Sequence, residues 1–288
     1  MVARPFPKVL SFWKMQATSN DYVCLNAFEL DLSWLKALAP KLCERRRGVG
    51  ADGFLLVTHS SKSALRMIIY NADGSEAEMC GNGLRCVARF AYEQNLVSSP
   101  TFSVETKGGE RMVEVLFNNS QEIADIKIDM GKPDFELNNL PAKLGADSWL
   151  ERSLDFAGFS FKVSLLSLGN PHLVVFVDNL AKIDINRFGP IIENDARFPN
   201  RINVSFVEAL DKNNLKQRTW ERGVKETYSC GTGAVASVVV GILTNRCSAK
   251  TYVHLLGGRL SVQWEDENAS AFLTGEAINV FKGSYLID

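Results

Sequence analysis

Two segments 150 residues apart share one pattern, and no other feature of the chain constrains its fold as tightly. Met79-Cys80-Gly81-Asn82-Gly83 and Ser229-Cys230-Gly231-Thr232-Gly233 both read Cys-Gly-x-Gly, and each leads into an apolar stretch. With six Cys and 21 Gly in 288 residues, chance places one such motif about 0.03 times per chain. A pair argues for two similar domains facing each other, one built around each motif. The stretches that follow predict helices from Gly83 to about Gln94 and from Gly233 to about Asn245. Both are apolar on most sides, so each is expected to be surrounded by protein.

Strand signals dominate elsewhere. Ile126, Ile128 and Met130 alternate with Asp125, Lys127 and Asp129, a period of two. Thr101–Thr106 and Arg111–Phe117 flank Lys107-Gly108-Gly109, and Tyr252–Leu256 and Arg259–Trp264 flank Gly257-Gly258; both read as hairpins. Further strands are expected at Phe54–Thr58, Leu65–Tyr70, Phe159–Leu166, Leu173–Val177, Val204–Glu208 and Gln217–Arg222. One more helix is expected from Ser33 to Arg46, disturbed by Pro40, with Arg45, Arg46 and Arg47 as its solvated end. The segment around Gly131-Lys132-Pro133 is the best candidate for a domain crossing.

Composition excludes several classes of function. Lys plus Arg is 32 and Asp plus Glu is 33, a net charge of -1. That balance gives no reason to expect nucleic acid or an anionic membrane as partner. No segment has the roughly 18 apolar residues of a membrane span. The N-terminal stretch MVARPFPKVLSFWKM lacks the apolar core of a secretory signal, so the expected location is cytoplasmic, with reduced thiols. His59, His172 and His254 lie near no Cys pair at zinc-finger spacing, so no metal site is expected.

The paired motif has a chemistry of its own. A helix N-terminus exposes unpaired N–H groups and partial positive charge, which suit a carboxylate and favour thiolate at an adjacent Cys. Two such sites on one ligand would place a sulfur on each side of it. That suits inversion at a carbon α to a carboxylate: one thiolate takes the proton and the opposite thiol returns one. No cofactor is needed. Cys24, Cys43, Cys86 and Cys247 read as small core residues.

At this point the chain resembles the diaminopimelate epimerases, a family of two-cysteine, cofactor-independent enzymes. The resemblance runs through Asn71-Ala72-Asp73-Gly74-Ser75-Glu76, Met79 to Cys86, Gly169-Asn170-Pro171-His172 and Asn203-Val204-Ser205-Phe206. It continues through Trp220-Glu221-Arg222-Gly223, Glu226 to Ala234, and Gly257-Gly258-Arg259-Leu260. It implies an α+β fold of two pseudo-symmetric domains, each a curved, mostly antiparallel sheet around a central helix, with the active site in the cleft between them. The expected domains are 1–130 plus 277–288, carrying Cys80, and 131–276, carrying Cys230, with a terminal strand near Ala277–Leu286.

The implied activity is the interconversion of LL- and meso-diaminopimelate, serving lysine and peptidoglycan synthesis, with Cys80 and Cys230 as the acid–base pair. Backbone N–H groups of Gly81, Asn82, Gly231 and Thr232 would hold the reacting carboxylate. Asn20, Asn71, Asn170, Asn203, Glu221 and Arg222 would complete the substrate site. His172 and Glu221 would assist proton transfer. A small-molecule amino acid is then the ligand, and a homodimer the expected assembly.

The chain departs from the family pattern in two places. The family usually reads Met-x-Gly-x-Gly-Asn-Asp-Phe; here it is Met15-Gln16-Ala17-Thr18-Ser19-Asn20-Asp21-Tyr22. After Asp52 the family usually places a substrate-contacting Gln, and here it is Gly53. These changes leave the thiol chemistry intact and bear on recognition. They keep open a related racemase of another amino acid, for example histidine.

Overall fold

The computed structural model describes residues 7–136, 140, 142–144 and 149–287. The chain divides into two compact units, Met1–Ile126 with Glu276–Asp288, and Lys127–Gly275. It is α+β, and its strands pair mostly antiparallel.

The first unit holds β1 (Val9–Ala17), β2 (Asn20–Asn26), α1 (Leu32–Cys43), β3 (Gly53–Thr58), β4 (Leu65–Asn71), α2 (Gly81–Glu93), β5 (Thr101–Thr106) and β6 (Gly109–Phe117). A further strand, β7 (Ile123–Asp129), runs across the unit boundary. β1 and β2 pair antiparallel, β2 and β3 parallel, β3 and β4 antiparallel, β4 and β5 parallel, β5 and β6 antiparallel. Helix α2 packs on β1, β2, β3, β4 and β6. Leu84, Cys86, Val87, Ala88 and Ala91 on it are fully buried. On α1, Leu35, Ala39 and Leu42 are buried in a core with Val23, Phe54 and Leu56.

The second unit repeats this plan. Its elements are β8 (Arg152–Phe156), β9 (Phe159–Ser167), β10 (Pro171–Phe176), α3 (Ile185–Glu193), β11 (Asn203–Asp211), β12 (Asn214–Glu221), β13 (Lys225–Thr227), α4 (Gly231–Leu243), β14 (Lys250–Leu255), β15 (Gly258–Gln263) and β16 (Phe272–Gly275). β9 and β10 pair antiparallel, β10 and β11 parallel, β11 and β12 antiparallel, β12 and β14 parallel, β14 and β15 antiparallel. This is the order of β1 to β6. A helix bridges each parallel step: α1 and α2 in one unit, α3 and α4 in the other. Helix α4 packs on β9 to β12 and on β14 to β16, and Ala234 to Val239 are fully buried. The terminal strand, β17 (Ile278–Leu286), pairs antiparallel with β1 of the first unit.

Two expectations need correction. Helix α1 continues through Pro40 and ends at Cys43. Asp31 caps its start by accepting the Ser33 and Trp34 N–H groups, and the helix runs only three residues beyond Pro40. Arg45 is therefore not a solvated helix end: it forks onto Asp21 and also pairs with Asp52. Helix α3 escaped the sequence reading because Gly189 and Pro190 sit inside it. The structure needs that glycine: a Cβ at 189 would lie 2.5 Å from the Trp220 ring. Among the described residues no helix is long and apolar enough to cross a membrane.

Candidate active site

In the first unit Cys80 is the cap residue of α2, with extended backbone (φ -140, ψ 119) and no side-chain cap bond. The first-turn N–H groups that follow have no acceptor within the helix. A Cβ at Gly83 would press on the Leu55 methyl at 3.1 Å, so glycine lets the helix start close against β3. The Cys80 Sγ lies 3.2 Å from the Tyr22 hydroxyl. Beneath it Arg85 is fully buried. Its guanidinium donates to Asn82 Oδ1 (2.8 Å), Thr18 Oγ1 (3.0 Å) and the Glu276 carbonyl (3.1 Å). Asn82 donates in turn to Asn20 Oδ1, and Asn20 donates to Asp52. Thus Asn20, Gly81 and Asn82 gather at the Cys80 end of α2. Asn71 ends β4, exposed, with its amide donating to Ser75 Oγ (2.9 Å).

The departures from the family pattern fall in the same place. Thr18 and Ser19 form the two-residue turn between β1 and β2, both with positive φ (45 and 68). That turn favours glycine or asparagine. Gly53 stands in register between Tyr22 and Asn71.

In the second unit Cys230 caps α4 in the same way (φ -121, ψ 106). A Cβ at Gly233 would meet Gln217 Nε2 and Ser205 Oγ at 3.1 Å and Cys230 Sγ at 3.2 Å. Gly233 therefore admits the sulfur and a buried polar pair together. Cys230 Sγ lies 3.6 Å from Thr232 Oγ1, and Asn170 donates to that hydroxyl at 3.3 Å. His172 Nε2 faces Asn170 Oδ1 at 3.1 Å, which makes Nε2 the protonated nitrogen. Its Nδ1 is buried without a partner among the described residues.

His172 and Asn203 stand in register at the starts of β10 and β11. Asn203 donates to the Pro171 carbonyl (2.9 Å) and accepts from the Arg222 N–H (2.9 Å). It ties the strand starts to the 221–222 turn. Glu221 ends β12 and accepts from Thr227 Oγ1. Buried Glu193 on α3 holds the same turn, accepting from Trp220 Nε1 and the Gly223 N–H, both at 2.7 Å. Glu193 belongs to no motif, and for Thr227, Arg85 and Tyr22, which lie within motifs, only packing reveals these contacts.

Electrostatics separates the two sulfurs' neighbours. Burial pushes the Cys230 thiol well above its ordinary value, and the nearby Glu221 carboxylate adds to the rise. Burial also raises Glu221 itself, against hydrogen bonds from Thr227 and Cys230. Burial, with the Arg222 charge beside it, holds His172 down at about 3. That ring is neutral near pH 7 and a weak base.

Solved structures define the fold class first. A Bacillus anthracis phenazine biosynthesis protein of the PhzF family superposes with a TM-score of 0.70 at 20% identity, covering 98% of this chain and all of that one. A probable proline racemase from Agrobacterium radiobacter does so at 0.69 and 15% identity, covering 97% and 93%. The architecture is thus that of the PhzF and proline racemase proteins. Sequence narrows it. The diaminopimelate epimerase family model matches residues 12–136 and 164–280. The diaminopimelate epimerase of Moorella thermoacetica is 39% identical over 280 residues, 97% of this chain and 100% of the relative. This chain belongs to the diaminopimelate epimerase family.

Proposed function

We propose that the chain is an isomerase interconverting LL- and meso-diaminopimelate, and that Cys80 and Cys230 carry the proton transfer. The matched Cys-Gly-x-Gly helix starts carry this reading; family membership favours diaminopimelate over another amino acid such as histidine. A thiolate on one cysteine takes the α-proton as the C–H electron pair passes into the carboxylate. The thiol of the other cysteine then protonates the carbon on its opposite face. The step leaves thiol where thiolate was and thiolate where thiol was, and its protons need no cofactor.

The N–H groups of Gly81, Asn82, Gly231 and Thr232 would stabilise the charge that develops on the carboxylate. Arg222 would offer a fork to the distant carboxylate and Asn71 an amide, and Asn20, Asn170 and Asn203 would complete the substrate site. Glu221 has the burial and the contact with Cys230 to tune that thiol. We assign His172 to holding Asn170, and through it Thr232, because so weak a base takes no proton from a thiol near neutral pH.

The exposed apolar residues Ile278, Val280, Phe281 and Leu286 on β17 support a homodimer; the cytoplasm is the location that fits reduced thiols. The test is direct. Pure reduced protein given LL-diaminopimelate without cofactor yields the meso form by chiral chromatography. Recovery of LL substrate alone overturns the reading.

A further inference from the structure

We propose that Tyr22 is a positioning residue for Cys80: its hydroxyl donates a hydrogen bond to the sulfur and stabilises the thiolate. The proposal deepens the reading of Cys80 as one of the two bases and rests on it.

The geometry is specific. The Tyr22 oxygen and Cys80 Sγ are 3.2 Å apart. Tyr22 is only 4% exposed, and the Cys80 it meets is half-buried. Its ring lies along Gly53, its register partner on β3. A Cβ at 53 would stand 3.4 and 3.5 Å from ring carbons Cδ1 and Cε1, and 3.1 Å from the Tyr70 carbonyl. The ring, not the hydroxyl, lies against Gly53, and the bare glycine leaves that ring the room to carry its oxygen to the sulfur.

Burial, with Cys80 next to it, keeps the phenol protonated and hence a donor. The other groups facing the pair are Arg85 and Cys86 from α2 and Asp52 from the segment before β3, with Cys24 of β2 beside Cys86 and Glu276 beside Arg85. The buried Cys86, pushed up to about 12, stays neutral.

The test is the pH dependence of Cys80 alkylation by iodoacetamide, read peptide by peptide on the full reduced chain. A hydrogen bond to a charged group is worth enough to move a titration by about one pH unit. Tyr22→Phe should raise the Cys80 midpoint by about that much and slow its alkylation about 10-fold below the midpoint. The Cys230 profile should not move. An unmoved Cys80 midpoint overturns the proposal. Placing 3-fluorotyrosine at position 22 offers a stronger donor and should lower the midpoint; no movement there overturns it equally, even if Tyr22→Phe fails to fold. These readouts are independent of turnover, so they stand apart from the test of Cys80 as a base.

Discussion

Cys80 and Cys230 hold the same post on helices of equal length. Each is the extended residue before a 13-residue helix, and neither side chain caps the helix it precedes. What differs is the company each sulfur keeps: a phenol hydroxyl for Cys80, a threonine hydroxyl and a buried carboxylate for Cys230. A chain that repeats its backbone has given its two motif cysteines chemically unlike surroundings.

That difference predicts how Cys230 titrates. Burial and Glu221 both favour its neutral thiol, so it should resist alkylation near pH 7 and react only as the pH climbs well past the ordinary thiol range. Glu221→Gln removes the negative charge and should shift the Cys230 midpoint downward, with Cys80 unchanged. Peptide-resolved alkylation across pH checks both; an upward shift in Glu221→Gln would contradict the electrostatic account.

Gly233 should be intolerant of any side chain. Gly233→Ala puts a methyl 3.1 to 3.2 Å from Gln217, Ser205 and the Cys230 sulfur. Misplacing a reacting group by about 1 Å can cost on the order of 100-fold. Turnover should fall by about that factor, while helical propensity gains by about 1 kcal/mol and limits the loss of stability. Gly83→Ala has only the Leu55 methyl to displace, at 3.1 Å, with the Cys80 Cβ at 3.8 Å. Its turnover should fall less. Paired kinetics and denaturation curves separate the two effects.

Asp21 ties the β1–β2 hairpin to the chain beyond α1. Burial would raise its carboxyl, but Arg45 and Lys14 outweigh that and hold it at about 2. A depressed acid stabilises the fold above its unfolded value of about 3.9, and that contribution disappears as pH falls through the folded value. Asp21→Asn should therefore cost about 1–2 kcal/mol at pH 7, and the gap should close between about pH 4 and pH 2. Urea melts across that window measure it.

The turn at Thr18-Ser19 should carry strain, since both residues have positive φ. Such residues cost of order 1–2 kcal/mol each. Ser19→Gly should recover about 1 kcal/mol in the same melts. Thr18→Gly should recover less, because it loses the hydroxyl that meets Asn82 and Arg85.

The two cysteine motifs were legible in the sequence, because Cys-Gly-x-Gly before an apolar run is a local signal. Asn170, Asn203, Glu221 and Arg222 were legible only through resemblance, and the structure shows why. They sit at strand ends and in a turn, and β-register rather than chain spacing relates His172 to Asn203. Strands such as Val9–Ala17 and Asn20–Asn26 were not read because nearly every position from Phe12 to Ala17 and from Tyr22 to Leu25 is buried, which erases the alternation of a half-buried strand. Tyr22 and Glu193 act through side-chain contacts with residues far along the chain, 58 positions for Tyr22 to Cys80 and 27 for Glu193 to Trp220, and no local pattern encodes those.

The two-cysteine account faces its most direct test in deuterated water. Starting from LL-diaminopimelate, the parent protein should release meso product carrying a solvent deuteron at the inverted carbon. Cys80→Ala and Cys230→Ala should each lose inversion by about 10²–10⁴-fold, the span expected when a positioned acid or base is removed. If either alanine variant still inverts the centre at the parent rate, transfer between two thiols is not how this protein works.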